Sequence, residues 1–358
     1  MLCVGILVGC SHNSYNIPSI RILENFASEI QIEELFGEVI YLTLSANDET
    51  LPIGIITGAF MSKEYIYISD SKSIYIIDKK GALINIVNRY GRSLQEYLGI
   101  SDFCVQNDEY IYVLDKNKRI VKYNFQGEYI ASSELKYYPA SMDILGEGNL
   151  ILTSAYQSDE DKFIIYDCET LNLLHSFVPI NRKQITWRHI YGQSNFYKRG
   201  EEILFHEPMN NTIYQINESG FTPKYCFDLF GRNISENFFN GHYSSIVEAN
   251  IEAEKNAFCF GLPVYSETDE EIWFTYRDGS HYRICKHDKL EQYSVQCDRL
   301  NFTELSLSMP ITDIFLHSEG ENEQMIVIAS DMIEPSIKEK VLNVPESYDN
   351  LIFVLKNH

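Results

Sequence analysis

The apolar positions between residues 64 and 135 follow one pattern twice. The two copies share two strand-length runs, Tyr65–Ile68 and Ile74–Ile77 in the first copy and Tyr110–Val113 and Ile120–Tyr123 in the second. The runs lie 45 and 46 residues apart and are rich in β-branched and aromatic residues. A polar turn follows the first run of each copy, and a glycine (Gly81 or Gly127) closes the next turn. A period of this size, built from short strands and turns, predicts the blades of a β-propeller.

The runs do not alternate between apolar and polar residues, which is typical of strands covered on both faces. Comparable groups of strands begin near residues 54, 101, 141, 202, 259 and 311. The sequence therefore predicts one all-β domain, a six-bladed β-propeller. A further strand, Glu38–Leu44, precedes the first full copy. We expect this N-terminal strand to complete the last blade, because a closed ring leaves no sheet edge exposed.

Two helices interrupt the strand pattern. Residues 244–256 are predicted to form a short helical insertion, in which Ser245 and Glu248 are spaced as a capping box. Ile246, Val247 and Ile251 would form its apolar face. The insertion could plug a blade junction or act as a lid over one end of the channel. Residues 335–342 predict a second helix, with Pro335 in its first turn.

Charge narrows the classes of partner. The chain of 358 residues has 29 Lys and Arg against 51 Asp and Glu, a formal net charge of −22. Nucleic acids and anionic membrane surfaces attract basic proteins, so neither is expected as a partner. A charge of this size also keeps a protein soluble, and we expect a monomer.

The N-terminal segment indicates where in the cell the protein is located. Leu2–Gly9 is apolar but too short to span a bilayer, and Cys10 follows a glycine. This arrangement resembles the end of a bacterial lipoprotein signal, in which the cysteine is lipidated. The alternative is a chance cysteine in a hydrophobic leader. We predict lipidation at Cys10, a signal and tether over residues 1–19, and a single propeller domain over residues 20–358, held at the cell envelope.

The other cysteines do not indicate a metal or redox site. None of them forms a C-x-x-C pair. Cys104 and Cys259 lie within apolar runs and are expected to be small buried residues of strands. A disulfide is possible in an exported protein, but the sequence favours no particular pair.

Several short segments resemble the six-bladed β-propeller lipoproteins of the Bacteroidetes, relatives of NHL-repeat propellers. In that family an Arg-x-Gly-x-Gly-Pro-Gly-Glu-Tyr segment follows the first blade. Arg89, Gly91, Glu96 and Tyr97 match it, with Ser-Leu-Gln at residues 93–95 in place of Gly-Pro-Gly. Residues 211–214, 223–225 and 349–351 resemble later segments of the same family. The resemblance implies export, lipid anchoring and a binding role.

Motifs of catalysis are not found in the sequence: it contains no H-E-x-x-H, G-x-S-x-G, P-loop or G-x-G-x-x-G. Asp70 and Asp115 occupy equivalent turns and could bind a hard cation such as calcium. Alternatively, each carboxylate caps its own turn. No other cofactor is indicated.

Two loops are candidate binding sites. Arg89, Arg92, Glu96 and Tyr97 lie between the first two blades, where an arginine could bind a carboxylate or phosphate. The alternative is an inter-blade salt bridge with a packed tyrosine. The second loop offers an aromatic platform or, alternatively, a segment packed on the propeller. Its residues are Trp187, Arg188, His189, Tyr191, Phe196 and Tyr197.

Two functions of different classes remain. The first is a non-catalytic binding or scaffold lipoprotein, whose partner would be a protein, a peptide or a glycan. The second is a metal-dependent hydrolase or lyase, resembling the lactonases and amidating lyases that use similar propellers. This second function requires acidic or histidine side chains that converge at the channel mouth with an open metal position.

Overall fold

The protein is described here from a computed structural model. The described residues are 17–44, 53–154, 161–178, 196–199, 202–207, 209–217, 220–239, 241, 243, 245–319, 323–346 and 351–356.

The described residues form seven β-sheets, which we name A to G. The first three are consecutive antiparallel four-stranded sheets. Sheet A contains Gly58–Met61, Tyr65–Ser69, Ile74–Asp78 and Leu83–Val87. Sheet B contains Ile100–Gln106, Tyr110–Asp115, Arg119–Asn124 and Tyr129–Glu134. Sheet C contains Pro139–Leu145, Asn149–Ser154, Phe163–Asp167 and Leu173–Phe177.

The remaining four sheets include strands from the N-terminal segment or additional short strands. Sheet D contains Phe196–Arg199, Glu202–His206, Thr212–Asn217, Gly220–Leu229 and, in parallel on its outer edge, Ser19–Ile22. Sheet E contains Cys259–Phe260, Tyr265–Glu267, Glu271–Asp278, His281–Asp288 and Tyr293–Cys297. Sheet F contains Ile30–Gln31, Arg299–Phe302 and Leu307–Pro310. Sheet G contains Phe315–Glu319, Glu323–Ala329, Leu351–Lys356 and Val39–Thr43.

The β-propeller is confirmed, but the predicted number of six blades was wrong, because the structure has seven sheets. The sheet that the sequence did not reveal is sheet F. Its two longer strands have only four residues each, and its third strand, Ile30–Gln31, comes from the other end of the chain. No local repeat marks strands this short, so the pairing is visible only in three dimensions.

The predicted closing strand is confirmed. Val39–Thr43 pairs antiparallel with Leu351–Lys356 and forms the outer strand of sheet G. The chain upstream of it crosses the outer edges of neighbouring sheets. Ser19–Ile22 pairs with sheet D, Phe26 bridges Gln296 of sheet E, and Ile30–Gln31 joins sheet F. The N-terminal segment therefore connects four sheets.

Apolar clusters lie between neighbouring sheets, and this explains the continuous apolar runs. Tyr112 packs towards sheet C together with Leu150, whereas the next residue, Val113, packs towards sheet A together with Tyr67. Consecutive residues of one strand therefore enter different clusters. Between sheets E, F and G, the largest cluster contains Trp273, which is almost completely buried.

The described residues include four α-helices outside the sheets: α1 Ile32–Phe36, α2 Glu236–Phe239, α3 Ile246–Lys255 and α4 Pro335–Leu342. Short 3-10 turns lie at Thr303–Leu305, Ile311–Asp313 and Ser330–Met332. Helices α3 and α4 confirm the two predicted helices, and Ser245 caps α3 by accepting a hydrogen bond from Glu248 N at 3.2 Å.

The predicted apolar face of α3 was wrong at Val247 and Ile251, while the side chain of Ile246 lies outside the description. Val247 and Ile251 are 62% and 47% exposed, whereas Ala249 and Ala253 are completely buried. The alanines pack in a cluster with Phe238 and other apolar residues. A helix that lies close to its support buries small side chains, so residue size decides its orientation here rather than hydrophobicity.

Candidate functional site

The two repeated aspartates hold their own turns. Asp70 Oδ1 accepts hydrogen bonds from the backbone N–H groups of Lys72 and Ser73, both at 2.7 Å. Its Oδ2 accepts one from Gly54 N at 3.1 Å and one from the Tyr75 hydroxyl at 3.2 Å. Both carboxylate oxygens therefore accept hydrogen bonds from sheet A, its turn and the segment just before it.

Asp115 repeats this arrangement one sheet further on. Its Oδ1 accepts hydrogen bonds from Leu98 N at 2.9 Å and Asn117 N at 3.1 Å, and its Oδ2 forms a salt bridge with Arg119 at 3.1 Å. This geometry matches the turn-capping alternative. Within the described ranges, no group of three or more His, Cys, Asp or Glu is placed to hold a metal ion. Calcium binding and the metal-dependent hydrolase or lyase stay predictions that no contact of the described residues favours.

The 88–99 loop is organised around Tyr97, whose side chain is completely buried. Its hydroxyl lies 2.8 Å from the carbonyl oxygen of Lys72 and 3.0 Å from that of Val87, and it accepts a hydrogen bond from Arg89 N at 3.2 Å. Burial raises the pKa of the Tyr97 hydroxyl to about 12, so it remains a neutral donor. One phenol thus ties this loop to a turn of sheet A.

Of the alternative for this loop, an inter-blade salt bridge with a packed tyrosine, the structure shows the packed tyrosine, whereas Arg89 and Glu96 form hydrogen bonds with the backbone. Arg89 Nε donates to the carbonyl of Gly127 at 2.9 Å, and Glu96 accepts from Ser93 N at 2.8 Å. The bonds from Ser93, followed by smaller contributions that include the charge of Arg89, lower the pKa of Glu96. Arg89 and Arg92 are exposed. A role of Arg89, Arg92, Glu96 and Tyr97 in ligand binding stays a prediction.

Most residues of the second candidate loop, the one with Trp187 and His189, are not among the described residues. Trp187, Arg188, His189 and Tyr191 lie outside the described residues, as does Cys10. Phe196 and Tyr197 are described, and both are buried. The Phe196 ring lies 5.5 Å from that of Phe205, and the Tyr197 hydroxyl donates to the carbonyl of Leu262. These two aromatic residues therefore pack inward.

A cavity of about 100 Å³ lies where the innermost strands meet. Strand residues of sheets A, B, C, D and G line it, together with a segment between two strands of sheet E; they include Phe60, Asp102, Asp143, Tyr197 and His317. Ligand pockets commonly have volumes of about 300–1,000 Å³. This cavity has room for a few water molecules rather than for a substrate of ordinary size.

Lys198 supplies the positive charge near this cavity. Its Nζ lies 3.0 Å from Asp143 Oδ1 and 5.3 Å from the centre of the Phe60 ring. Burial, and then the charge of Lys198, lower the pKa of His317 to about 4, so its imidazole is neutral at pH 7. Burial raises the pKa of the Cys104 thiol well above 9, which removes it as a nucleophile at neutral pH.

A basic surface covers the ends of sheets A and B, and sequence reasoning missed it. We define it by residues 70–73, 88–99, 115–119 and 134–138 and call it the basic face. These segments are joined by backbone hydrogen bonds: Ile100 N to Ser71 O at 3.0 Å, Lys116 N to Gly99 O at 2.9 Å, and Leu135 N to Lys118 O at 2.7 Å.

The charge of the basic face is opposite to that of the whole chain. Its segments contain seven Lys or Arg and four Asp or Glu, whereas the chain has 29 and 51. Asp70 and Asp115 are buried and hydrogen-bonded, so they contribute little negative surface. Lys72, Arg92, Lys116 and Lys136 are exposed. The lysines that follow the two repeated turn aspartates were the signal that could have revealed this surface.

Aromatic side chains accompany these charges. Tyr90 is 53% exposed and Tyr138 is 46% exposed, and each ring lies beside a lysine of the face. Lys72 Nζ is 5.4 Å from the centre of the Tyr90 ring, and Lys118 Nζ is 4.1 Å from that of Tyr138. Leu94, which follows Tyr90 in the same loop, is 70% exposed. Exposed rings and cations on a rigid support are typical of a binding surface.

Sheets arranged around a common cavity, with a rigid loop surface at one end, define a β-propeller. Comparison of sequences identifies the family. It belongs to the family described as Domain of unknown function (DUF4934), whose model matches residues 17–356. No curated protein matches the sequence.

One of the similar solved structures shares the fold. A crystal structure of a Bacteroides fragilis protein described as exported has a TM-score of 0.73 and 18% identity, and the match covers 95% of this chain and all of that one. A protein of unknown function from Bacteroides caccae has a TM-score of 0.39 and 12% identity over 68% of this chain and 85% of that one. The Pan2 WD40 domain of Neurospora crassa has a TM-score of 0.41 and 8% identity over 85% of this chain and 76% of that one.

These findings support a β-propeller family represented in Bacteroides, while the relation to NHL repeats stays a prediction. In the part of the chain that the structure describes, no helix is long and apolar enough to cross a membrane.

Proposed function

We propose that this protein is an exported binding module, held at the cell envelope by a lipid on Cys10, which uses its basic face to hold a partner. The observation that carries the proposal is an exposed cluster of basic and aromatic side chains on a chain with a net charge of −22. Solubility alone does not require positive charges to be concentrated in one place. Such a patch raises the local concentration of an anionic partner and accelerates its association.

Two further observations support binding at the face rather than chemistry in the channel. The central cavity of about 100 Å³ is small, and the basic face is rigidly built by Tyr97, Asp70 and Asp115. A preorganised surface loses little conformational entropy when it binds. The Bacteroides fragilis protein of similar fold is described as exported, which agrees with the predicted address.

The binding role is tested by charge reversal on two opposite ends of the propeller. Lys72→Glu with Lys116→Glu reverses two exposed charges of the basic face. Lys63→Glu with Lys80→Glu makes the same change in the turns at the other end of sheet A, where both lysines are also exposed. Binding of the unlipidated Cys10→Ala protein to envelope fragments of the source organism is measured for each form.

We expect the Lys63/Lys80 control to bind like the parent protein and the Lys72/Lys116 variant to bind at least about tenfold more weakly, which corresponds to about 1.4 kcal/mol. Binding should also weaken as salt is raised, since exposed charges are screened over about 10 Å at 0.1 M. Equal binding by the two double variants would refute the proposal.

The anchor is tested separately. Cys10→Ala should release the protein from membranes in cell fractionation, because a lipid attached to that cysteine would be lost. Cys3→Ala, which changes the other cysteine of the leader, is the control and should remain in the membrane fraction. Retention of Cys10→Ala in the membrane fraction would contradict the lipid anchor but would leave the basic face to its own test.

A further inference from the structure

The basic face presents the same pair of side chains on two neighbouring sheets. Tyr90 follows the last strand of sheet A and Tyr138 follows the last strand of sheet B. The lysine beside each ring, Lys72 or Lys118, lies in the turn between the second and third strands of the same sheet. The structural repeat of the propeller therefore produces a repeat of ring and ammonium on the surface.

The two pairs are held on rigid supports. The turn that contains Lys72 is fixed by Asp70, whose carboxylate accepts a hydrogen bond from Lys72 N. The carbonyl oxygen of Lys72 lies 2.8 Å from the Tyr97 hydroxyl. The Lys118 turn is fixed by Asp115, because Lys118 N donates to the carbonyl of Asp115 at 3.1 Å. The backbone under both pairs is thus preorganised, while the rings and the ammonium groups are left at the surface.

A ring and a cation together select one ligand chemistry. The flat face of a tyrosine packs against the C–H face of a pyranose, and an ammonium group pairs with a carboxylate. A uronic acid carries both features on one sugar residue. An acidic peptide would use the lysines without needing the rings, and a neutral glycan would use the rings without needing the lysines. A polymer with repeated sugar units also suits a surface that repeats its binding pair.

We propose that the basic face binds an acidic polysaccharide through its uronic acid residues, with Tyr90–Lys72 and Tyr138–Lys118 as two equivalent subsites. This inference rests on the proposed function, since it names the partner class of the same face. The positive charge of the face, on an otherwise acidic chain, is complementary to such a polymer.

The test uses the full-length protein in detergent and three polymers: polygalacturonate, dextran as a neutral glycan, and poly-L-glutamate as an acidic peptide. Three variants probe the subsites. Tyr90→Leu with Tyr138→Leu removes the rings, Lys72→Gln with Lys118→Gln removes the cations, and Tyr282→Leu is the control. Tyr282 is 41% exposed with Arg277 5.9 Å from its ring, but it belongs to sheet E.

We expect polygalacturonate to bind at least tenfold more tightly than dextran or poly-L-glutamate. Each double variant should weaken that binding by about tenfold or more, and Tyr282→Leu should leave it unchanged. The exchanged side chains are exposed, except Lys118, which is half-buried. Near-ultraviolet and far-ultraviolet circular dichroism should confirm that the variants are folded.

Three results would overturn the inference. Equally tight binding of poly-L-glutamate that is insensitive to loss of the rings would indicate an acidic protein partner. Equally tight binding of dextran would indicate a neutral glycan. Failure to bind polygalacturonate, together with loss of envelope binding in the Lys72/Lys116 charge-reversal variant, would reject the polysaccharide but retain the proposed function. If that charge reversal also had no effect on envelope binding, the proposed function itself would fail.

Discussion

Single buried side chains of this propeller hold separate segments together, and Tyr97, which ties the 88–99 loop to sheet A, is one example. Its hydroxyl meets three backbone groups, which belong to Lys72, Val87 and Arg89. No solvent reaches the side chain to replace these bonds if the oxygen is removed. A buried polar group that loses its partner costs more free energy than the bond itself contributes.

Tyr97→Phe should therefore lower the free energy of unfolding by about 1–3 kcal/mol, as measured by urea denaturation. Tyr90→Phe is the control, because the Tyr90 ring is half-exposed. Its effect should stay within about 0.5 kcal/mol. Equal effects of the two substitutions would show that the hydroxyl of Tyr97 does not hold the loop.

Glu267 also holds separate segments together, because it pairs with several cations at the junction of sheets D and E. Its carboxylate is buried and lies 2.8 Å from Lys289 Nζ, 3.2 Å from Lys224 Nζ and 3.5 Å from Arg199. Tyr225 and Tyr265 donate to it at 3.0 and 2.9 Å. Burial raises the pKa of Glu267, but the hydrogen bond from Lys289 and the charges of Lys224 and Lys289 outweigh burial, so the pKa is lowered from 4.5.

A carboxyl whose pKa is lower in the folded state stabilises the fold above its unfolded pKa, and this stabilisation is lost as the pH falls. Glu267→Gln should therefore destabilise the protein at pH 7 by on the order of 3 kcal/mol, because three cations lose a buried partner. The difference from the parent protein should shrink as the pH falls below 4.5. Urea denaturation at several pH values measures both effects.

The control for Glu267 is Asp269→Asn. Asp269 pairs with Arg199 at 2.6 Å but its side chain is 90% exposed, and exposed pairs contribute about 0–1 kcal/mol. A pH dependence of stability that is the same in Glu267→Gln and in the parent protein would refute the assignment.

At the scale of elements, the two copies that are equivalent in sequence differ in what surrounds them. Gly81 and Gly127 occupy the same turn in sheets A and B, with φ of 89° and 76°. A Cβ added at Gly81 would lie 2.1 Å from the carbonyl oxygen of Thr43, in the closing strand. At Gly127 the nearest atom would be a methyl of Val87 at 3.3 Å. Only the first turn packs directly against the strand that closes the ring.

Gly81→Ala should consequently destabilise the protein more than Gly127→Ala does. Both variants force a positive φ on alanine, at a cost of about 1–2 kcal/mol. Gly81→Ala adds a clash with the backbone, which overpacking data place at about 1–3 kcal/mol. Parallel urea denaturation of the two variants measures the difference, and indistinguishable midpoints would contradict the contact with Thr43.

Helix α3 shows the limit of prediction from sequence at the same scale. Its N-terminus followed from Ser245, because a cap is a contact between residues three positions apart. Its buried face did not follow, since Ala249 and Ala253 face a support whose closeness depends on Met209, Ile234 and Phe260. A contact between residues close in sequence can be predicted from that sequence, whereas the distance of a helix from a neighbouring element cannot.

At the scale of the whole molecule, the ring is closed by strands from opposite ends of the chain. Leu351–Lys356 lies between Glu323–Ala329 and Val39–Thr43. Its removal would expose unpaired N–H and C=O groups on both neighbours. Open edges of this kind pair with other chains.

A variant that ends at Asn350 should therefore unfold at a lower temperature and self-associate. Size-exclusion chromatography with light scattering, together with a thermal melt, measures both changes. A variant that ends at Lys356 keeps the strand and is the control, which should behave like the full chain. A monomeric Asn350 variant with an unchanged melting temperature would show that closure does not hold the ring together.

The sequence by itself determined the strands of the first two sheets, the turns with Asp70 and Asp115, the strand that closes sheet G, and the propeller class. These features depend on residues within one period, where burial on both faces and turn chemistry leave a readable pattern. Only the tertiary structure decided on sheet F, on the buried face of α3 and on the basic face. Each of these is made by segments far apart in the chain: Ile30 meets Leu300, and Tyr90 and Tyr138 share a surface only because sheets A and B are neighbours. Pairing and proximity of this kind arise from packing between sheets, which no local pattern of residues records.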